Sequence, residues 1–147
     1  MVVKNALEDF SSARSSGIQA INTSSGDQIC SGTLTFGDGE TLLATREGKV
    51  IRFDQDELRS TMRPSKGVIG IDVTPEDKVI GVETYEFDEP EYEKSLLFVT
   101  EKGLGKKVPL EEFNVQGRGG MGNLGIKIED GDGLVSINMI QDGDEVM

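Results

Sequence analysis

Thr45-Arg46-Glu47-Gly48 returns as Thr100-Glu101-Lys102-Gly103, 55 residues further along the chain. At the same offset Glu57-Leu58 returns as Glu112-Phe113, Arg63 as Arg118, Gly67 as Gly122, and Gly70-Ile71 as Gly125-Ile126. A third copy lies upstream. Ser16-Gly17-Ile18-Gln19-Ala20-Ile21-Asn22 matches Lys66-Gly67-Val68-Ile69-Gly70-Ile71-Asp72, 50 residues on, and Lys4–Phe10 matches Lys107–Phe113. A repeat of this period marks units that bury their apolar faces only against their neighbours. The spacing predicts a single domain over residues 1–147, with copies at about 3–48, 49–103 and 104–147. Copies entered and left part-way through a unit are expected of a fragment of a longer array.

Each copy reads as short strands. Ile18–Ile21, Val68–Val73 and Leu124–Ile128 are apolar or β-branched and flanked by Gly, which suits strands of about five residues. Lys78–Val82 and Gly133–Ile137 follow the acidic turns Pro75-Glu76-Asp77 and Asp130-Gly131-Asp132. Thr41–Thr45 and Ser95–Thr100 are third strands, and Val50–Phe53 and Lys106–Val108 fourth strands. Arg46-Glu47-Gly48-Lys49 is a hairpin turn with Gly at a positive-φ position. Four strands per roughly fifty residues is the arithmetic of a propeller-like blade. The 19 glycines, with no sustained helical period, oppose long helices. The expectation is an all-β bladed repeat, a β-pinwheel or propeller-like partial array of about three four-stranded blades, with Gly17, Gly67 and Gly122 at equivalent positions.

Composition removes several chemistries. The chain has no His, which excludes Ser–His and Cys–His nucleophile pairs and His-ligated metals. Cys30 is the single cysteine, so no internal disulfide or multi-Cys zinc site forms. No apolar run approaches the ~18 residues of a membrane helix, and Met1–Asn5 lacks a leader-type apolar region. A bacterial-type cytoplasm is the expected compartment, with no catalytic residue, metal or cofactor in this stretch and no membrane partner.

The formal net charge is −12, which opposes long-range attraction to nucleic acid. The charge is segregated, however. Residues 46–68 carry six basic and four acidic side chains, and residues 69–101 two basic and ten acidic. Residues 102–127 carry five basic and two acidic, and residues 128–147 six acidic and none basic. Lys4, Arg52 and Lys107 recur at one repeat position, and Arg14, Arg63 and Arg118 at another. Stacked blades turn such recurrence into a stripe, which neutralises phosphates and bends a duplex without reading bases. The competing reading is that these cations brace each blade by pairing with Glu112-type neighbours.

Several motifs resemble the C-terminal domain of the DNA gyrase A protein and its paralogue in topoisomerase IV. They are Leu42-Leu43-Ala44-Thr45-x-x-Gly48-Lys49-Val50-x-Arg52-Phe53 and Met62-Arg63-x-x-x-Gly67-Val68-x-Gly70-Ile71. They continue in Leu97-x-Val99-Thr100-Glu101-x-Gly103-x-Gly105-Lys106-Lys107-x-Pro109-Leu110-x-Glu112-Phe113. Phe10-Ser11-x-x-Arg14-x-x-Gly17-Ile18-x-Ala20-Ile21-Asn22 fits the same template. The resemblance implies a pinwheel of about six blades with duplex DNA wrapped on a basic rim. It also implies a role in supercoiling by the full enzyme, with the rest of gyrase A and the gyrase B protein as partners, and places the catalytic tyrosine, magnesium and ATP hydrolysis elsewhere. Gln116-Gly117-Arg118-Gly119-Gly120-Met121-Gly122 is similar to the gyrase A box, with Gly117 in place of an Arg and Met121 in place of a Lys. The expected DNA contacts are Lys4, Arg14, Lys49, Arg52, Arg59, Arg63, Lys66, Lys102, Lys106, Lys107 and Arg118, with the box-like loop.

Other readings are weaker on their own residues. The loop also satisfies G-x-G-x-x-G, but an apolar strand-like run follows it where a dinucleotide site needs a helix. Asp130-Gly131-Asp132-Gly133 lacks the Glu of a calcium loop, with Gln141 at the twelfth position. The acidic run Glu86–Glu93 fixes no carboxylate spacing for glycoside chemistry. Phe87 and Tyr92 are too sparse for base stacking, and Tyr85 and Tyr92 have no basic neighbour to make either a nucleophile. A propeller-like protein-interaction module remains the alternative to DNA wrapping, and −12 favours basic partners for it.

Overall fold

Strands form where the sequence concentrates β-branched and apolar residues between glycine turns, and every regular element longer than four residues is extended. The computed structural model describes residues 1–12, 15–87 and 90–147. Among these the chain forms β1 (Gly39–Thr45), β2 (Lys49–Asp54), β3 (Val79–Glu86), β4 (Lys94–Thr100), β5 (Gly105–Pro109), β6 (Asn123–Leu124) and β7 (Leu134–Gln141). The remaining regular pieces are single 3-10 turns at Leu7–Phe10, Gln55–Glu57, Glu91–Glu93 and Leu110–Glu112. The chain is all-β, as the repeat predicts; where about three four-stranded blades are expected, one four-stranded and one three-stranded sheet form among the described residues.

Two hairpins organise it. The β1–β2 turn closes with Gly48 N–H donating to Thr45 O at 3.0 Å, and the β4–β5 turn with Gly103 N–H to Thr100 O at 2.9 Å. Gly48 and Gly103 both have φ +84, the left-handed conformation that a side chain opposes. Each hairpin takes its outer strand from later chain. β3 adds antiparallel to β1 with Leu43 opposite Val82, and β7 adds antiparallel to β4 with Phe98 opposite Ile137. The first sheet therefore runs β3-β1-β2-β6 and the second β5-β4-β7. β6, from beyond the second hairpin, pins the free edge of β2 through Lys49–Leu124 and Val50–Asn123.

The first copy is represented by bridges. Val2 pairs antiparallel with Val68 as Val50 pairs with Asn123, and Lys4 pairs parallel with Ser60 as Arg52 pairs with Val115. Val2–Lys4 is thus the β2-like piece of that copy. Ile18–Ile21 and Val68–Val73, expected as strands, are not ladder strands, and Leu124–Ile128 contributes only its first residue, Leu124, to β6. The cause is local. Gly67 and Gly122 sit at φ +71 and +70, and a Cβ on either would strike the carbonyl of Val2 or Val50. The chain turns there, and Gly70 and Asp72 bond the Gly119–Gly120 loop instead of a sheet. Gly17 shares the conformation, at φ +77, without the close approach.

Period-two alternation decides the core. β1 is buried at every position. Leu42 and Ala44 face the larger cluster with Val50, Leu96, Phe98, Leu110, Phe113 and Leu134, while Leu43 faces a second cluster with Ile51, Phe53, Leu58 and Ile71. The larger cluster lies between the two sheets, with Phe98 and Phe113 ring centroids 6.1 Å apart. Each copy thus completes its neighbour's core.

The acidic turns lock the hairpins. Asp77 Oδ1 accepts from the backbone N–H of Glu47 at 3.0 Å and of Lys78 at 2.8 Å. Asp132 Oδ1 accepts from Lys102 N–H at 3.1 Å and Gly133 N–H at 2.8 Å, the same contacts one repeat on. Each aspartate ties the turn of one hairpin to the start of the strand that joins it. Desolvation opposes the Asp132 charge, but hydrogen bonds from Thr100, Gly133 and Lys102 outweigh it and hold its pKa below the ordinary aspartate value. Asp77→Ala strands two N–H groups and should destabilise the chain by about 1–3 kcal/mol in a denaturant titration. For Asp132 the folded pKa is lowered, so its contribution is whole above the ordinary value and is lost as pH falls through the folded one. Thermal unfolding followed into acid should show the native chain losing more stability than Asp132→Asn, which keeps the acceptor oxygen and does not titrate.

Candidate nucleic-acid interface

The recurrent basic residues share repeat positions but not environments. Arg52, on β2, is 4% exposed. Its Nε pairs with Glu40 of β1. One terminal nitrogen donates to Glu91 at 2.7 Å and to the carbonyls of Leu110 and Phe113 at 3.1 and 3.0 Å. Its guanidinium carbon lies 5.6 Å from the centre of the Tyr85 ring. Burial works against this charge, and Glu91 and Glu40 outweigh burial, so the pKa of Arg52 rises above its ordinary value. The expectation that Arg52 touches phosphate is corrected: the second hairpin and its flanking turns cover it, and its Nε and one terminal nitrogen are already taken. The bracing acids are Glu40 and Glu91, not a Glu112-type neighbour.

Its repeat mates sit in other surroundings. Lys107 is exposed on β5 and pairs with Asp142 at 2.5 Å, an ion pair that lowers the Asp142 pKa. Lys4 is half-buried in the β2-like piece, with its carbonyl accepting from Thr61 N–H at 2.9 Å.

At the second recurrent position, Arg63 and Arg118 each reach back to a carbonyl of the preceding copy. Arg63 Nε donates to Asp9 O at 2.5 Å, and its guanidinium lies over the Phe10 ring. Arg118 donates from a terminal nitrogen to Ile69 O, and its backbone N–H donates to Glu57 Oε2 at 2.8 Å. The Nε of Arg118 is buried with no hydrogen-bond partner among the described residues. Arg14 lies outside the described residues.

The box-like loop is a brace between copies. Gln116 N–H donates to Arg52 O at 2.8 Å, Gly119 N–H to Gly70 O at 2.8 Å, and Asp72 N–H to Gly120 O at 2.9 Å. Gly117 is exposed, and Met121 projects into solvent at 67% exposure. No helix opens at Gly122.

Four of the expected residues come together. Lys4, Arg59, Lys66 and Arg118 line one groove of about 400 Å³, with Gly67 in its wall and Glu57 as the carboxylate. Successive copies supply the cations, because the box-like loop docks on the segment that follows Lys66 and Gly67. Lys49, Lys102 and Lys106 are not among its lining. Lys102 Nζ donates to Asp130 O at 3.0 Å and Lys106 Nζ to Gly125 O at 2.8 Å, so both hold turns further along the chain. A second groove, of about 480 Å³, has Glu47, Glu76, Glu129, Asp130 and Asp132 around Arg46 and Lys127. Its acidity opposes phosphate.

Sequence reasoning missed the acids that hold Arg52 and the ion pair from Arg46 to Glu101, at 2.5 Å, which joins the two hairpin turns. It also missed the lock of Asp77 and Asp132. The signal for the lock was present, since an aspartate closes the acidic turn in each copy.

The chain matches the family described as DNA gyrase C-terminal domain, beta-propeller, over residues 1–30, 40–85 and 94–141. It belongs to that family. It is 35% identical to the DNA gyrase A protein of Salmonella typhimurium over 147 residues, covering 99% of this chain and 16% of that protein. To the DNA gyrase A protein of Deinococcus deserti it is 33% identical over 150 residues, covering 100% of this chain and 18% of that one. The chain therefore spans less than a fifth of these relatives. Among solved structures, the C-terminal domain of DNA topoisomerase IV superposes with TM-score 0.85 at 25% identity, covering 97% of this chain and 44% of that one. Among the described residues of this gyrase A-type domain, no helix is long and apolar enough to cross a membrane.

Removing the Arg52 fork leaves Glu40 charged and buried. Arg52→Met should cost about 3–5 kcal/mol of stability, and Arg52→Lys should recover only part, since an ammonium does not span two acids and two carbonyls. Urea unfolding of the two variants measures both.

Proposed function

We propose that this gyrase A-type domain binds duplex DNA through backbone phosphates without reading sequence, and bends it as part of a longer wrapping surface. The observation that carries this is the groove where Lys4, Arg59, Lys66 and Arg118 converge around Gly67. The groove sets four cations against the one carboxylate of Glu57, and phosphate oxygens are acceptors that match such an excess of donors. Among the described residues no aromatic side chain lines the groove, which supports phosphate contact over base stacking. Within a full gyrase A chain, alongside gyrase B, such wrapping would support supercoiling, with the cutting and the ATP chemistry supplied outside this domain.

Four cations predict a slope of about −4 for log K against log salt, and the net charge of −12 makes binding weak near physiological salt. Arg59→Ala and Lys66→Ala should each weaken binding equally for all duplex sequences and reduce the slope by about one. Met121→Lys should raise affinity and steepen the slope by a similar step. Arg118→Ala should lower both DNA affinity and melting temperature, because the same guanidinium holds Ile69. Fluorescence anisotropy at low salt reads the first three. Binding that ignores Arg59 and Lys66, or no binding at all, overturns the groove assignment and favours a protein-interaction module acting through the acidic groove.

A further inference from the structure

The one carboxylate of the basic groove is placed as an internal anion. Glu57 closes the short turn Gln55–Glu57 after β2 and is exposed. Its Oε2 accepts the backbone N–H of Arg118 at 2.8 Å. Lys4, Arg59, Lys66 and Arg118 line the groove with it, yet among the described residues its carboxylate is within ion-pair distance of none of them. Glu57 takes a main-chain donor instead. The amides on either side serve another purpose. Gln116 N–H donates to Arg52 O and Gly119 N–H to Gly70 O, both at 2.8 Å, and these close backbone contacts between copies. Between them, Arg118 N–H meets an anion.

The repeat shows that this carboxylate is not there to pair with the cations. Glu112 stands at the same position one unit on, before Phe113 as Glu57 stands before Leu58. In that unit Asn114 and Met121 replace Arg59 and Lys66. The glutamate recurs where those two cations do not. At the first junction it stands in a cationic groove and on a loop amide. A carboxylate oxygen and a phosphate oxygen ask the same of an N–H donor, a short charge-assisted bond. Gly117 and Gly119 flank Arg118, so no Cβ on either side obstructs an incoming phosphate. The position of Glu57 Oε2 is therefore one that a phosphate oxygen fits.

We infer that Glu57 is an intramolecular phosphate mimic: its carboxylate holds the Arg118 N–H until a backbone phosphate of duplex DNA displaces it, and so it limits the affinity of the groove. This rests on the phosphate-binding reading above and names the residue that sets its threshold. Glu57 is exposed, so once displaced its charge turns to water at little cost. A free phosphate ion offers one contact and does not outcompete a carboxylate already tethered beside the amide. A duplex engages the other cations at the same time, and the tethered phosphates then act at high local concentration. The groove thereby selects an extended polyanion over a small one.

Glu57→Gln keeps an oxygen acceptor for Arg118 N–H and removes the charge. In fluorescence anisotropy with a mixed-sequence duplex at low salt, it should bind about tenfold more tightly than the native chain, with the gain shrinking as salt rises. Its melting temperature should be unchanged, because the acceptor remains. Glu112→Gln makes the same charge change at the equivalent position and should alter affinity by about twofold or less. In amide NMR spectra of the native chain, the duplex should move the Arg118 resonance, and inorganic phosphate at the same ionic strength should not. Equal affinities for the two variants overturn the inference, leaving net charge as the whole effect. Weaker binding by Glu57→Gln overturns it in favour of a carboxylate that only positions the loop. Inorganic phosphate that moves the Arg118 amide as the duplex does overturns the threshold. A duplex whose binding needs Arg59 and Lys66 but leaves that amide unmoved overturns this inference alone. No duplex binding by any of the three chains overturns it together with the phosphate-binding reading.

Discussion

Arg52 is where three stretches of chain meet. Its guanidinium ties β1 through Glu40, the turn before β4 through Glu91, and the turn after β5 through the carbonyls of Leu110 and Phe113. A buried charge of this kind is tolerable only when it is paired and its donors are satisfied. The two hairpins are therefore held in one relation to each other, because any other would leave an ion in apolar surroundings. The same residue marks the boundary between structure and function. Arg52 is buried with its donors engaged, whereas Lys107 at the same repeat position is exposed and paired with Asp142.

Strand exchange is the second constraint. Each hairpin takes its outer strand from later chain, and β2 takes its other neighbour, β6, from beyond the second hairpin. Unfolding one sheet thus exposes the edge and core of the next, as in other stacked repeats. The paired aspartates Asp77 and Asp132 set the register of this exchange, binding turn and incoming strand with one oxygen.

A net charge of −12 coexists with a groove that gathers four cations and one carboxylate because most of the acids are elsewhere. Glu76, Glu129 and Asp130 sit at the turns around the acidic groove, while Glu40 and Glu91 are consumed by Arg52. Glu57 is the carboxylate among the cations of the basic groove, and it accepts the backbone N–H of Arg118. The functional charge of the domain is a local quantity, set by which carboxylates pairing has already neutralised.

The all-β class, the repeat, the hairpin turns and the family resemblance were legible in the sequence, because each depends on local chemistry. Gly48 and Gly103 declare their turns by conformation, and runs of β-branched and apolar residues declare β1, β2 and β4. The basic columns were legible as positions only. Whether Arg52 is buried, whether Val68–Val73 ladders, and which of eleven expected contacts converge on one groove are decided by what packs over them. That packing comes from segments some forty to sixty residues away, such as Glu91 and Phe113 on Arg52, or Ile69 on Arg118. The repeat specified which residues are equivalent; the segments that pack on each of them, brought from far along the chain, decided its surroundings.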